Sequence, residues 1–398
     1  MFKITKDIYS VGVLNPNMRI FDIVMHTEYG TSYNSYIVKG EKIALIDGCH
    51  ENFVNSYISN IEEITPLNKI DYLIVNHCEP DHTGALRELI SKIPNIAIYC
   101  SPSSSIFLKE IIKLPLKIHI VRDGDTLSLG NKTLTFINAP FLHWPDSMFT
   151  YVKEEKTVFT CDFLGSHYCE PSMIDTAIAY PQAYKSAMQL YYNAIFSPFK
   201  KYVNDGLDKL NKLECQFICT SHGPILTTQG LYKYVFDQYR KWSVLNKPVW
   251  SIPIIYASSY GYTKKIAEAI QTGIYAVNKD IKADIYDANA FDSATLNSLI
   301  NQATAFCLGS PTLNKNAVPP ITHLLADIDA INTKDKPVLI FGSYGWSGEA
   351  QNILTNMAST LQLKPYKNGV HVRFRPSPEE LQAATNMAQE FASSIIKA

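Results

Sequence analysis

At 398 residues the chain is long enough for two or three hydrophobic cores, and 46% apolar with 18% charged residues describes a globular protein without long disorder. A formal net charge of -1 offers no field for nucleic acid or anionic lipid, and no block of like charge suggests a binding tail. No apolar run approaches the roughly 18 residues of a membrane span, and Met1–Asp7 has no signal-type stretch, so the expectation is a cytoplasmic protein with neither membrane nor nucleic-acid partner.

From Ile4 to Gly48 the pattern is one of short strands and turns: Ile8–Val13, Tyr33–Val38 and Lys42–Asp47. A helix over Glu51–Ile64 follows, then the buried strand Tyr72–Val75. The loop leaving that strand reads Asn76-His77-Cys78-Glu79-Pro80-Asp81-His82 and holds four side chains of metal-binding type within six residues, besides Cys78. Imidazoles and carboxylates packed this closely oppose one another unless a cation sits among them. A capped helix start accounts for Asp81, Thr83 and Gly84, and leaves His77, Glu79 and His82 unexplained. A helix over Gly84–Ile93 and strands near Ile96–Cys100, Lys117–Val121, Thr133–Ile137 and Thr157–Cys161 come next, a mixture that suggests sheets with helices outside. His143, Asp162 and His222 each stand just beyond a strand-like run, where loops at one sheet edge can bring separated ligands together.

A helix over Tyr232–Leu245 leads to Asn246-Lys247-Pro248, where the pattern changes. Val249–Ala257 is an apolar strand, followed by the hydroxyl-rich turn Ser258-Ser259-Tyr260-Gly261-Tyr262-Thr263 and a helix over Lys264–Ala276, an order that surrounds an anion with N–H groups, hydroxyls and a positive helix end. The buried strand Ala303–Leu308 runs into Gly309-Ser310-Pro311-Thr312-Leu313-Asn314, and Pro337–Phe341 into Gly342-Ser343-Tyr344-Gly345-Trp346-Ser347-Gly348. Three loops at carboxyl ends of strands form the ligand crevice of an open doubly wound sheet. Lys264 stands after Thr263, so the turn is not of the Walker type. The eight cysteines are scattered and include no Cys-x-x-Cys pair, so no disulfide framework is implied and a rubredoxin-like or iron–sulfur carrier has to be a separate protein.

The frame His77-x-Glu79-x-Asp81-His82 with His143, Asp162 and His222 resembles the metal set of the metallo-β-lactamase superfamily in the variant found in flavodiiron proteins. The three later loops resemble those of flavodoxins, and Gly345-Trp346-Ser347-Gly348 is similar to the flavodiiron form. The resemblance covers essentially the whole chain and implies an α+β and α/β architecture: a metallo-β-lactamase-like αββα sandwich over 1–248, then a flavodoxin-like doubly wound parallel sheet over 249–398. Glu79 stands where the zinc hydrolases usually carry histidine, and a carboxylate there suits iron. The resemblance further implies two iron ions, one on His77, Glu79 and His143 and the other on Asp81, His82 and His222, with Asp162 bridging.

By the same resemblance FMN lies with its phosphate among Ser258, Ser259, Tyr260, Gly261, Tyr262 and Thr263 and its ring system between Pro311, Thr312, Leu313, Asn314 and Ser343, Tyr344, Gly345, Trp346, Ser347, Gly348; Trp346 as a core residue is the alternative. His26 falls where the family has a histidine near the substrate pocket, with an exposed turn histidine as the other reading. One of Tyr191 and Tyr192 is expected to face the metals, since neighbours on a helix point about 100° apart. The implied activity is reduction of dioxygen to water, of nitric oxide to nitrous oxide, or of both, with electrons from rubredoxin or a similar donor. The implied assembly is a head-to-tail homodimer or a tetramer. A zinc hydrolase fused to a flavodoxin and a pure electron carrier are the rival readings.

Overall fold

The computed structural model describes residues 2–22, 25–245 and 250–397. The chain divides into two compact units, Met1–Leu245 and Asn246–Ala398; the boundary read from sequence at 248 and 249 lies outside the described residues.

In the first unit, seven strands form a sheet in the order Phe2–Lys3, Ile8–Ser10, Tyr36–Lys39, Ile43–Ile46, Tyr72–Val75, Ala97–Cys100 and Lys117–Ile120. A second sheet orders Thr126–Ser128, Thr133–Asn138, Met148–Val152, Thr157–Cys161, Phe217–Thr220 and Leu226–Thr227. Successive side chains of a strand face opposite ways, so each strand feeds two cores. Val38, Ile46, Ile74, Phe136, Met148 and Phe159 meet between the sheets. Their neighbours Ile37, Leu45, Leu73 and Val75 pack against the helices Val54–Ile64 and Leu86–Lys92. On the far side Phe149, Val158 and Ile218 pack against Pro181–Tyr191, Lys200–Leu210 and Tyr232–Trp242. Three cores separating four layers define an αββα sandwich.

The second unit is an open sheet whose main strands pair in parallel, in the order Ile285–Asp287, Ile254–Tyr256, Phe306–Leu313, Pro337–Tyr344, then Lys364–Pro365 and Val370–Arg373. Helices cover both faces. Tyr262–Val277 and Pro378–Lys397 pack on one, while Ser293–Gln302, Pro319–Ala326 and Glu349–Thr360 pack on the other. With the second strand outside the first, this is the flavodoxin-like winding.

Two stretches read as loops are partly strand. Ser310↔Gly342 and Pro311↔Ser343 continue the parallel ladder, and Thr312↔Ala317 begins a short antiparallel return. Hydrogen bonding to a neighbour therefore carries strand structure past the glycines that suggested its end. No described helix is long and apolar enough to cross a membrane.

Candidate metal centre and flavin crevice

Each sequence-predicted metal ligand of the first unit stands at or near the carboxyl end of a strand or in the loop beyond it, and the outer residues of the loops are tied down before the ligands begin. Asn76 donates its backbone N–H to Asp47 Oδ1 at 2.7 Å and its side-chain amide N–H to Oδ2 at 3.0 Å, while Thr150 Oγ1 donates to the Asn76 side-chain oxygen Oδ1 at 2.7 Å. His77 therefore leaves the strand in a fixed direction. The turn Pro80–Thr83 carries Asp81 and His82. Cys161, at φ 50°, turns the chain so that Asp162 points inward. The Asn34 amide donates to the carbonyls of Thr220 and Gly223 at 2.9 and 2.8 Å and fixes the loop bearing His222.

The structure brings all seven predicted ligands together. Donor atoms of His77, Glu79, His143 and Asp162 lie within 4.8 Å of one another, and so do those of Asp81, His82 and His222. Asp162 divides between the two groups. Its Oδ2 is 3.5 Å from His77 Nε2 and 3.6 Å from His143 Nε2, while its Oδ1 is 3.0 Å from His82 Nε2 and 3.4 Å from His222 Nε2. Glu79 Oε2 stands 3.2 and 3.1 Å from His77 and His143, and Asp81 Oδ2 stands 3.0 Å from His222. His222 donates from Nδ1 to the Ser32 carbonyl at 2.6 Å, so Nε2 is the nitrogen turned toward the carboxylates.

Both Asp81 carboxylate oxygens, both His82 ring nitrogens and Asp162 Oδ1 are buried without a hydrogen-bonding partner. Buried polar atoms are seldom left so, and here they converge on shared space, which fits two metal ions. Protons take part of that role in the metal-free chain. Burial opposes charge on His77, but Asp146 and Glu79 accept from it and hold its pKa well above the usual value. Burial likewise opposes charge on His82, and Asp81 and Asp162 outweigh it, giving about 9. Against the same penalty, His143 and His77 lower Glu79, and His82, with His77 and His222, depresses Asp162.

Of the two tyrosines left open, Tyr191 faces the centre. Its ring lies 6.1 Å from that of His222, whereas Tyr192 Oη pairs with Ser243 Oγ at 2.8 Å on the other side. A π-helical turn over Tyr192–Phe196 follows directly and re-aims the chain between them. His26 is exposed on the short strand Met25–His26 and lines a cavity of 80 Å³ with His167 and Tyr191.

Three residues that sequence reasoning passed over belong to the site. Asp146 is fully buried with Oδ1 3.1 Å from His77 Nδ1. Asp47 is pushed up to about 6 by burial, against the opposing pull of Asn76. His167 meets His222 edge to face, with ring centres 4.8 Å apart and Nδ1 2.8 Å from Thr31 Oγ1, and its Nε2 is buried and unpartnered. Asp146 stands three residues after His143 and His167 five after Asp162, the one sequence cue to either.

In the second unit, Gly261 takes φ 79° with open space where a Cβ would lie, and the helix Tyr262–Val277 starts there without a side-chain cap. Its first N–H groups are thus free for an anion. Ser258 Oγ is buried and unpartnered, and Thr263 Oγ1 pairs with Ser343 Oγ at 2.8 Å, tying the first loop to the third. Trp346 is 77% exposed and Tyr260 84%, so Trp346 is no core residue and both can offer a ring face to a planar ligand. These features fit a flavin phosphate and ring.

A buried, carboxylate-rich pair of candidate metal positions on a lactamase-like sandwich, followed by a flavodoxin-like crevice, is the arrangement of a redox protein with two cofactors. The comparisons agree with that class. A family model described as ODP family beta lactamase matches residues 31–223, and one described as Flavodoxin matches 254–386. The chain is 48% identical over 396 residues to flavo-diiron protein FprA2 of Clostridium acetobutylicum, covering 99% of each chain. It is 32% identical to a nitric oxide reductase of Moorella thermoacetica, covering 98% of each. Among solved structures it is similar to rubredoxin oxygen:oxidoreductase from Desulfovibrio gigas, at 27% identity and TM-score 0.69, over 100% of this chain and 98% of that one. The chain belongs to the flavodiiron protein family. It is an oxidoreductase whose cofactors are FMN and a pair of iron ions.

Proposed function

We propose that the chain reduces nitric oxide to nitrous oxide, dioxygen to water, or both, at two irons held by His77, Glu79 and His143 on one side and Asp81, His82 and His222 on the other. Asp162 stands between them. The observation that carries this reading is the division of Asp162, one oxygen toward each group of imidazoles. Two molecules of nitric oxide with two electrons and two protons give nitrous oxide and water; dioxygen takes four of each. FMN supplies electrons singly, received from a rubredoxin-like donor. Tyr191 and His167 wall the centre beside His222.

The chain works in the cytoplasm as a head-to-tail dimer, the flavin of one copy serving the irons of its partner. Ser258–Thr263, Pro311–Asn314 and Ser343–Gly348 hold the FMN. Support for iron over zinc comes from Glu79, whose carboxylate makes the donor set harder and more negative than a third imidazole would.

Metal and flavin analysis of protein produced with iron and zinc both present tests the reading. Two irons and one flavin per chain are expected, with donor-driven consumption of nitric oxide or dioxygen. Two zincs would make it a hydrolase, and flavin alone an electron carrier.

A further inference from the structure

The two groups of ligands look alike in their inner donors and differ in what stands behind them. Behind His77 is a full negative charge: Asp146, wholly buried, accepts from Nδ1 at 3.1 Å through Oδ1. Its Oδ2 accepts the Cys78 N–H at 2.8 Å and the Ser104 hydroxyl at 3.1 Å, so the carboxylate is fixed by three partners. Behind His222 are two uncharged groups, the Ser32 carbonyl at 2.6 Å and the Thr31 hydroxyl at 3.4 Å from Nδ1, and His82 Nδ1 has no hydrogen-bonding partner. No other carboxylate accepts from the outer nitrogen of His77, His82 or His222 among the described residues. Glu79 and Asp81 give one carboxylate to each group, and Asp162 is shared. Asp47 acts on both His77 and His82, and Asp22, which interacts with Asp81 as well as with Glu79 and His143, leans toward the first group through a hydrogen bond to Glu79, away from any imidazole's outer nitrogen.

A carboxylate behind a ligating imidazole fixes its tautomer and raises its basicity. We infer that the two metal positions are unequal: the ion on His77, Glu79 and His143 is held more tightly, the ion on Asp81, His82 and His222 leaves first, and Asp146 is the positioning residue that sets the order. This rests on the two-metal reading. Asparagine at 146 would keep the shape and lose the charge, and with its oxygen on the Cys78 N–H its amide would face His77 Nδ1 and favour the tautomer that cannot ligate through Nε2. Losing such an outer partner typically costs roughly 10–100-fold in metal affinity.

The test is a chelator time course on the holoprotein with two bound metals, followed by metal analysis and flavin content. Wild type is expected to lose its metals in two phases through a stable one-metal form, in which anomalous diffraction places the remaining ion beside Glu79 and His143. Asp146→Asn should shrink the gap between phases by roughly 10–100-fold. Ser104→Ala, which disturbs the same carboxylate and leaves its charge, should keep the gap. Loss of both wild-type ions in one phase, a remaining ion beside Asp81 and His222, an unchanged gap in a folded Asp146→Asn, or an equal effect of Ser104→Ala would each overturn the inference. Should Asp146→Asn not fold, the wild-type arm decides by itself. Protein that never takes up two metals would instead overturn the two-metal reading.

Discussion

Raising the pH of the metal-free protein should destabilise it between about 6.5 and about 9, because His82 is fully buried and holds its proton to about 9. A group whose pKa is higher folded than unfolded contributes stability that is complete below the unfolded value and is lost as pH rises through the folded one. The ordinary imidazole value is about 6.5, and each unit corresponds to about 1.36 kcal/mol, so the His82 proton accounts for about 3 kcal/mol. His77 acts in the same direction. Glu79 and Asp162 have the opposite sign, since their depressed values give stability that is lost as pH falls into the acid range. Urea unfolding of metal-free protein at pH 6.5 and pH 9 measures the effect through tryptophan fluorescence, to which Trp144 contributes from its place 5.1 Å from His77. In His82→Asn the loss should shrink. Equal stability at the two pH values, or a loss untouched by His82→Asn, would refute the account. Bound metal requires neutral imidazoles, so metal uptake should strengthen over the same window by about tenfold per pH unit for each proton released.

Glu79→His should lower the ratio of iron to zinc in protein grown with both and slow reductase turnover; full iron with unchanged turnover would defeat the role given to the carboxylate. For Asp162→Ala the paired centre should be lost, and two bound, magnetically coupled irons in that variant would place the bridge elsewhere. Ser258→Ala removes a buried, unpartnered hydroxyl, so FMN affinity should fall about fivefold or more, the worth of one hydrogen bond; a fluorescence titration with an unchanged Kd would take Ser258 out of the phosphate site. Mixing Gly345→Arg with His77→Ala should restore donor-driven activity in heterodimers, since one flavin–iron pair is then intact, and verified heterodimers that stay inactive would confine electron transfer to a single chain.

The seven candidate metal ligands were legible because their side-chain types crowd one loop or stand at strand ends, and such crowding has few explanations other than a cation. The flavin loops were legible as small polar residues after buried strands. Asp146 and His167 were not. Each is a single polar residue in a loop, and only folding shows that one stands behind His77 and the other beside His222. Tyr191 and Tyr192 carry the same chemistry at adjacent positions, and nothing local to them says which ring meets His222 and which meets Ser243.

Residue type and spacing by themselves pointed to a change of architecture near residue 248, a candidate set of metal donors and a candidate anion-binding turn, because strand periodicity, turn chemistry and ligand chemistry are local properties; the sandwich fold, the iron pair and FMN came from the resemblance of those motifs to flavodiiron proteins. The tertiary structure decided how Asp162 divides between the two groups, which tyrosine faces them, and that a buried carboxylate backs one group and not the other. Those depend on the relative placement of strands up to 190 residues apart in sequence, as in the bond from His222 to Ser32, and that placement is set by packing in the core between the sheets.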